Sequence, residues 1–157
     1  MVKINSTSRF LSIDSLVILT QTDTTVGFLS QDARRLQSLK KRAENKPFIK
    51  VYKSFSALKD ASIRIPTRFK ATIRRAKKST FIVKNSAFRV AKDHLDATYL
   101  NTKEWNYSSS ANESKKSFDR EWCEARADII IENSQLLYEG RASSLYKINA
   151  KKRVRLR

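Results

Sequence analysis

The chain has 157 residues, of which 40% are hydrophobic, with a single cysteine and a formal net charge of +18. These values predict one globular domain, and they exclude a disulfide framework and a metal site built on paired cysteines. No signal-peptide pattern opens the chain and no run approaches the roughly 18 apolar residues of a membrane span, so we expect a cytoplasmic protein without a membrane partner. The charge excess favours a polyanionic partner, the alternative being a solubility charge with no ligand.

The first part of the chain alternates strand and helix patterns. The run Ser15–Thr20 is short, apolar and β-branched, which is typical of a buried strand. A helix is predicted to begin at Ser30 as its N-cap and to carry the cations Lys40–Arg42 in its last turn. Pro47 forbids further helix, and "FIKVYK" then predicts a second strand.

The rest of the chain continues this alternation. Helices are predicted in "SFSALKDAS" and "TRFKATIRRAKK", and a hairpin or two linked strands in "TFIVKNSAFRVA". A helix is expected from Lys92 to about Leu100, a polar stretch over Trp105–Ser117, and a short helix near Phe118–Ala125. "DIIIE" and "SLYKI" predict two last strands before a basic tail at about 149–157. The pattern predicts a single α/β domain over residues 1–157.

Several common sites have no counterpart in this sequence. It contains no Gly-rich phosphate loop, which argues against Walker-type and Rossmann nucleotide binding. His94 is the only histidine and has no metal-ligand spacing around it, so a structural role is favoured over a catalytic one. Cys123 lies beside Trp122 on a predicted helix, which favours a packed thiol over a nucleophile.

Three polar clusters flank the predicted strands. The first is "TDTT" at 22–25, placed where a strand ends and followed closely by Gly27, one of only two glycines. Hydroxyls and free backbone N–H groups at such a point can hold an anion, and a glycine allows close backbone approach. A threonine-rich turn that caps the next helix is an equal alternative.

The other two clusters have simple structural alternatives as well. Lys40 and Arg42 stand two apart at a predicted helix end, where they can share a ligand only if the backbone uncoils; a solvated helix end is the alternative. The segment "SSSANES" at 108–114 is dense in hydrogen-bonding side chains, as are many turns.

In this order, the clusters resemble motifs of the YrdC-like family of threonylcarbamoyl-AMP synthases. "QTDTTVGF" resembles the family's Pro-Thr-(Asp/Glu)-Thr…Gly-Leu opening, and "KKRAENKPFI" resembles its Lys-Gly-Arg-Pro…Pro-Leu-Ile segment. "STFIV", "FRVAKDH" and "SSANES" resemble its Pro-Leu-Thr-Leu-Val, Arg-Val-Pro…His and Ser-Ala-Asn…Ser-Gly segments. "ADIII" resembles its Val-Asp-Leu strand, "ASSLYKI" resembles Pro-Ser-Thr-Val-Val-Asp, and "RVRLR" falls where the family ends. The resemblance spans nearly the whole chain.

The resemblance implies a twisted mixed sheet flanked by helices, with one active-site cavity. It implies a nucleotidyltransferase that makes threonylcarbamoyl-AMP and pyrophosphate from L-threonine, bicarbonate and ATP with Mg²⁺, and that supplies the tRNA threonylcarbamoyl-transfer machinery. The implied site has no resident metal. Its residues are Lys40 and Arg42 as catalytic cations, Thr22, Thr24, Thr80 and Ser110 for substrate, and Asn112, Ser144 and Arg155 for the nucleotide.

Several prolines and glycines of the family motifs are replaced, for example by Gln21 and Lys41. The alternative is therefore a catalytically degenerate relative that binds tRNA or double-stranded RNA, and a basic ribosome-associated protein without a nucleotide site is a third possibility. The basic runs at 68–78 and 151–157 favour contact with RNA phosphates.

Overall fold

The computed structural model describes residues 1–4, 12–40, 47–91, 103–114, 116–134 and 136–157. The strands are β1 (Val2–Ile4), β2 (Ile18–Gln21), β3 (Val26–Ser30), β4 (Ile49–Tyr52), β5 (Ser79–Val83), β6 (Ser86–Val90), β7 (Trp105–Ser110), β8 (Ile129–Ile131), β9 (Ser144–Ile148) and β10 (Arg153–Arg155). The helices are α1 (Ala33–Lys40), α2 (Phe55–Asp60), α3 (Thr67–Arg75) and α4 (Arg120–Glu124).

The strands of the described residues form one 10-stranded mixed sheet in the order β1-β8-β2-β3-β7-β4-β6-β5-β9-β10. The pairs β2–β8, β4–β6 and β5–β9 are parallel, and the remaining pairs are antiparallel. Every residue of β2 and β3 is buried, as expected of strands near the middle of a sheet covered on both faces. The predicted fold class, a single domain with a mixed sheet flanked by helices, is confirmed.

Two apolar clusters join the helices to one face of this sheet. Leu58 of α2 and Ile73 of α3 pack with Phe81 and Phe88 of the β5–β6 hairpin. A second cluster groups Leu36 of α1 and Cys123 of α4 with Leu19 and Phe28. Because strand residues alternate between faces, Ile18, Leu29 and Val51 lie on the opposite face, where they form a third cluster. The predicted helices α2 and α3 and the predicted hairpin are confirmed.

The start of α1 differs from the prediction. Asp32, not Ser30, caps this helix, since its Oδ1 accepts hydrogen bonds from the backbone N–H groups of Arg34 and Arg35 at 2.9 and 3.2 Å. Ser30 instead ends β3, a strand that the prediction missed. The threonine turn at 22–25 therefore links two antiparallel strands, rather than a strand to a helix.

The prediction was also wrong for the stretch over Trp105–Ser117, which begins with a strand, β7. Its polar residues hid the strand pattern, because consecutive serines show no alternation of apolar and polar side chains. The predicted helix over 92–100, which contains His94, lies outside the described residues. Within the described ranges, every helix is too short or too polar to cross a bilayer.

The ion pair between Arg120 and Glu132 fixes α4 to the end of β8. The guanidinium donates to both Glu132 carboxylate oxygens at 3.0 and 2.7 Å, and the N–H of Leu137 donates to the same carboxylate at 3.1 Å. Hydrogen bonds from Arg120 lower the pKa of Glu132, and desolvation opposes that effect. The carboxylate is only 5% exposed, so its loss removes a partner from a largely buried charge.

We expect Glu132→Gln to lower the free energy of unfolding by about 2 kcal/mol, less than for a fully buried pair because the Arg120 side chain is 40% exposed. Because the folded-state pKa is depressed, the stabilisation is present above the ordinary glutamate pKa and is lost as pH falls through the folded value. Urea unfolding at neutral and acidic pH measures both effects. Glu124→Gln removes a more exposed partner of Arg120 and should cost less than about 1 kcal/mol; equal losses for the two variants would contradict this account.

Candidate functional site

The threonine turn between β2 and β3 is held by its own side chains. The hydroxyl of Thr22 donates to the carbonyl of Thr25 at 2.7 Å and accepts from the N–H groups of Thr24 and Thr25, each at 3.3 Å. Thr22 and Thr24 are both buried, and their hydroxyl oxygens lie 3.3 Å apart. The turn thus presents a pair of fixed hydroxyls to the face of the sheet that carries Ile18 and Val51.

Both glycines of the chain lie against this turn. A Cβ on Gly27 would come within 3.0 Å of the Thr22 methyl carbon and 3.1 Å of the Ser109 carbonyl oxygen. A Cβ on Gly140 would come within 1.9 Å of the Thr24 carbonyl oxygen. Neither glycine has a positive φ, so each is required for space rather than for an unusual backbone conformation. This explains why a chain with only two glycines places one directly behind its threonine cluster.

Lys40, the last residue of α1, joins the helix to the end of β7. Its Nζ donates to the Ser110 carbonyl at 2.7 Å and to Asn112 Oδ1 at 2.9 Å, although these partners lie 70 and 72 residues away. The Ser110 hydroxyl donates to the same Asn112 oxygen at 2.6 Å. The structure therefore gathers three of the predicted site residues into one hydrogen-bonded group. Arg42 lies outside the described residues.

Arg89 of β6 connects the threonine turn to β5. Its guanidinium pairs with the Asp23 carboxylate and donates to the hydroxyls of Thr24 at 2.9 Å and Thr80 at 3.3 Å. Thr80 in turn shares a 2.9 Å hydrogen bond with Ser143. The guanidinium Nε is buried and has no hydrogen-bond partner within the described part of the chain. Arg89 is thus a fixed cation whose buried Nε–H is not used by the described residues.

A cavity of about 260 Å³ opens between these groups. Its polar lining consists of Thr22, Thr24, Thr25, Ser108, Ser109, Ser110, Ser143, Arg89 and Arg157. Lys40 and Asn112 adjoin it through Ser110, and Thr80 adjoins it through Arg89 and Ser143. The charged side chains among the described lining residues are those of Arg89 and Arg157, and Arg89 also engages the Asp23 carboxylate. Such a site suits an anionic ligand that carries hydrogen-bonding groups.

Two predicted site residues stand apart from the cavity lining. Ser144 is paired with Ser79 and so points to the face opposite Thr80, which leaves Ser143 at the cavity wall. Arg155 is exposed on β10, and Arg157 lines the cavity and donates to the Ser143 carbonyl at 3.3 Å.

Sequence reasoning did not single out Arg89 as a site residue. One signal was present, since a lone arginine stands between apolar residues in "AFRVA" and must be either solvated at an edge or buried with a partner. Cys123 is buried, its Sγ donates to the Ala111 carbonyl at 3.3 Å, and burial raises its pKa to about 11. A neutral, packed thiol agrees with the structural role preferred from the sequence.

Comparison with known proteins finds similarity in structure alone. No protein-family model and no curated protein matches the sequence. A solved structure of Sua5 from P. abyssi superposes with a TM-score of 0.74 at 20% identity, covering 90% of this chain and 52% of that one. The chain has the YrdC-like fold.

Two further solved structures with the YrdC-like fold extend this comparison. P. abyssi Sua5 in complex with L-threonine gives a TM-score of 0.72 at 21% identity, covering 90% of this chain and 50% of that one. E. coli YciO gives 0.69 at 18% identity, covering 91% and 82%. The chain therefore spans about half the length of the Sua5 structures and most of the length of YciO. The fold implied by the sequence motifs is confirmed.

Proposed function

We propose that this protein is an L-threonylcarbamoyladenylate synthase, which forms threonylcarbamoyl-AMP and pyrophosphate from L-threonine, bicarbonate and ATP. The observation that carries this proposal is the group formed by Lys40, Ser110 and Asn112 at the rim of a hydroxyl-lined cavity. The fold shared with a Sua5 structure that holds L-threonine supports the choice of substrate. In the reaction, the amine of threonine combines with bicarbonate, with loss of water, to form a carbamate, and an oxygen of that carbamate group attacks the α-phosphorus of ATP and displaces pyrophosphate.

The threonine end of the cavity is assigned to the turn at 22–25 and to Arg89. An amino acid carries a carboxylate, and the Arg89 guanidinium is a cation in the wall at this end of the cavity. The hydroxyl of Thr24 is already oriented by Arg89, and Thr22 by its own turn, so both offer fixed oxygen atoms to a polar substrate. Thr80 and Ser143 hold Arg89 from the other side.

The phosphate end is assigned to Lys40, with Ser110 and Asn112 beside it. A buried ammonium at this position can neutralise negative charge that shifts to the leaving pyrophosphate, and its two acceptors keep it in place beforehand. The resemblance places Arg42 in the same role.

Mg²⁺ would arrive with the triphosphate of ATP rather than occupy a cage of protein ligands. The described residues hold no group of three or more His, Cys, Asp or Glu side chains suited to a metal ion. Mg²⁺ that accompanies a nucleotide is bound mainly by phosphates and water, with few protein ligands. The ion supplies charge neutralisation on the phosphates, and Lys40 adds to it from the protein.

The test is pyrophosphate release by the purified protein. We expect release that requires ATP, L-threonine and bicarbonate together, measured with a coupled pyrophosphate assay in which each substrate is omitted in turn. A folded protein that binds ATP but releases no pyrophosphate in the complete mixture would contradict synthase activity.

A second candidate function, RNA binding, is favoured by one tertiary contact. Arg68 of α3 donates to the Lys151 carbonyl at 2.7 Å, which brings the two basic runs of the sequence together. The resulting α3–β10 surface consists of Arg68, Lys70, Arg74, Arg75, Lys77, Lys78, Lys151, Lys152, Arg153 and Arg155, all exposed. The sequence has no acidic residue between Arg64 and Lys84 or after Glu139. The positive side chains of such a surface repel one another, and bound phosphates reduce that repulsion.

We expect Arg75, Lys77 and Lys78, changed together to Glu, to weaken RNA binding and to reduce the log–log salt slope by about one unit per lost phosphate contact. Arg74 is left in place because it packs over the Phe55 ring. Filter binding of tRNA and of double-stranded RNA across a salt series measures the effect.

The matched control changes Lys3, Arg34 and Lys59 to Glu; these residues are exposed, and the change alters the net charge equally but leaves the α3–β10 surface intact. If both triple variants weakened RNA binding equally, the affinity would depend only on the total charge of the protein and not on the α3–β10 surface. Pyrophosphate release should persist in both, because none of the six residues lines the cavity.

A further inference from the structure

A second, larger cavity lies on the other face of the sheet. Its volume is about 390 Å³, and residues of α1, β4, β6 and β7 line it together with Ala61 and Ile63 after α2. Strand β4 separates the two cavities, since Ile49 lines the candidate site and Lys50 and Tyr52 line the second cavity. The size falls within the roughly 300–1,000 Å³ typical of small-molecule sites.

Tyr52 places a hydroxyl without a protein partner among the described residues at the wall of this cavity. Tyr52 is 2% exposed, and its side chain makes no hydrogen bond within the described ranges. Burial raises the pKa of Tyr52, so the group stays a neutral hydroxyl that can donate a hydrogen bond. The hydroxyl oxygen is not among the fully buried atoms, so it is accessible from the cavity and can donate to a water or ligand atom there.

Lys50, two residues before Tyr52 on the same face of β4, adds a cation to the cavity lining. The Lys50 ammonium lies 4.3 Å from the Trp105 ring centre and 5.3 Å from that of Tyr107, and it forms no ion pair among the described residues. The rings stabilise the ammonium without neutralising it. Among the described residues that line the cavity, Lys50 is the one charged side chain, so these residues favour an anion.

The remaining walls are flat and mostly apolar. The rings of Phe48 and Tyr107 stand 6.4 Å apart, centre to centre, and Ala33 and Ile63 add aliphatic surface. Asn85 and Ser86 of the β5–β6 turn place further polar groups at the edge. Aromatic walls favour a planar ring, and the cation and the hydroxyl favour an anionic substituent on that ring.

We propose that this cavity is a second binding site, which takes a planar aromatic molecule carrying one anionic group. The proposal is independent of synthase activity, because none of its residues lines the candidate site. Lys50 binds the anion, Tyr52 donates a hydrogen bond to it, and the rings of Phe48 and Tyr107 hold the planar part.

Calorimetric titration of the full chain with 2-naphthoate tests this site. We expect saturable binding, which Lys50→Met weakens about tenfold or more and Tyr52→Phe weakens by a smaller factor of about three. The neutral isostere 2-naphthamide and the non-aromatic anion cyclohexanecarboxylate should each bind about tenfold more weakly than 2-naphthoate, because each lacks one of the two recognised features.

Arg89→Gln serves as the control, because it removes a cation from the candidate site and leaves Lys50 in place. Its affinity for 2-naphthoate should equal that of the unchanged protein. Binding that is lost in Arg89→Gln but kept in Lys50→Met would place the ligand in the candidate site and overturn the proposal, as would the absence of saturable binding. Tyr52→Phe removes one oxygen atom at constant ring volume, so thermal unfolding of this variant verifies that any loss is not a loss of fold.

Discussion

Pyrophosphate release is expected to fall by about a hundredfold or more when Lys40 is replaced by methionine, since a positioned charge facing the transition state contributes about 2.7–4 kcal/mol. Lys40 is 6% exposed and already oriented by the Ser110 carbonyl and Asn112 Oδ1. Methionine keeps most of the aliphatic stem and removes the ammonium, so the charge is the main change. Steady-state pyrophosphate release at saturating ATP and threonine measures the effect.

Lys59→Met provides the matched control, because Lys59 is exposed on α2 and remote in sequence from the cavity residues. Its rate should equal that of the unchanged protein. Lys40→Met also removes two hydrogen bonds from a largely buried group, so its unfolding midpoint must be measured beside its rate. A Lys40→Met protein that is folded at the assay temperature and retains more than half of the rate would remove Lys40 from the mechanism.

A methyl group at Gly140 is expected to displace the threonine turn. The Cβ of Gly140→Ala would meet the Thr24 carbonyl oxygen at 1.9 Å, which is far inside van der Waals contact. Because this oxygen belongs to the backbone, the clash cannot be removed by rotating a side chain. The segment is further tied by hydrogen bonds from the Gly140 N–H to Thr25 Oγ1 at 3.1 Å and from the Val26 N–H to the Tyr138 carbonyl at 3.0 Å. We expect a loss of about 3 kcal/mol in the free energy of unfolding, and a midpoint lowered by about 6–12 °C.

Gly27→Ala provides the comparison for this prediction. Its nearest contact, at 3.0 Å, is the Thr22 methyl carbon, a side-chain atom that can rotate away. Stability should therefore fall less than in Gly140→Ala. Rotation of Thr22 would however move its hydroxyl, which holds the turn. We therefore expect Gly27→Ala to lower the rate of pyrophosphate release even though it lowers the unfolding midpoint only slightly. Differential scanning calorimetry of both variants checks the order, and a Gly140→Ala midpoint equal to that of the unchanged protein would contradict the steric argument.

Local patterns determined much of the secondary structure. The helices α2 and α3 and the β5–β6 hairpin were predicted because short-range periodicity and turn residues define such elements without help from the rest of the chain. The YrdC-like fold was predicted from the order of the sequence motifs. Each motif resembles a family segment that lies at the end of a strand or helix. Strand β7 was missed because the backbone pairing on both its edges compensates for a sequence with weak strand propensity.

Side-chain direction was decided by register. Ser143 and Ser144 are indistinguishable in the sequence, yet a shift of one residue moves a side chain to the other face of a strand, and only Ser143 reaches Thr80. Arg89 became a site residue because β6 places it opposite the threonine turn, 65 residues from Thr24.

The sequence by itself determined the net charge, the scarcity of glycine and the residue types of the candidate site. Tertiary structure decided which of these meet. The two glycines, far apart in the chain, both make room for one turn, and the basic runs on either side of residues 79–150 form one surface through Arg68 and Lys151. Such contacts join elements that are distant in the chain, so local sequence periodicity does not predict them. They depend on how the whole sheet packs.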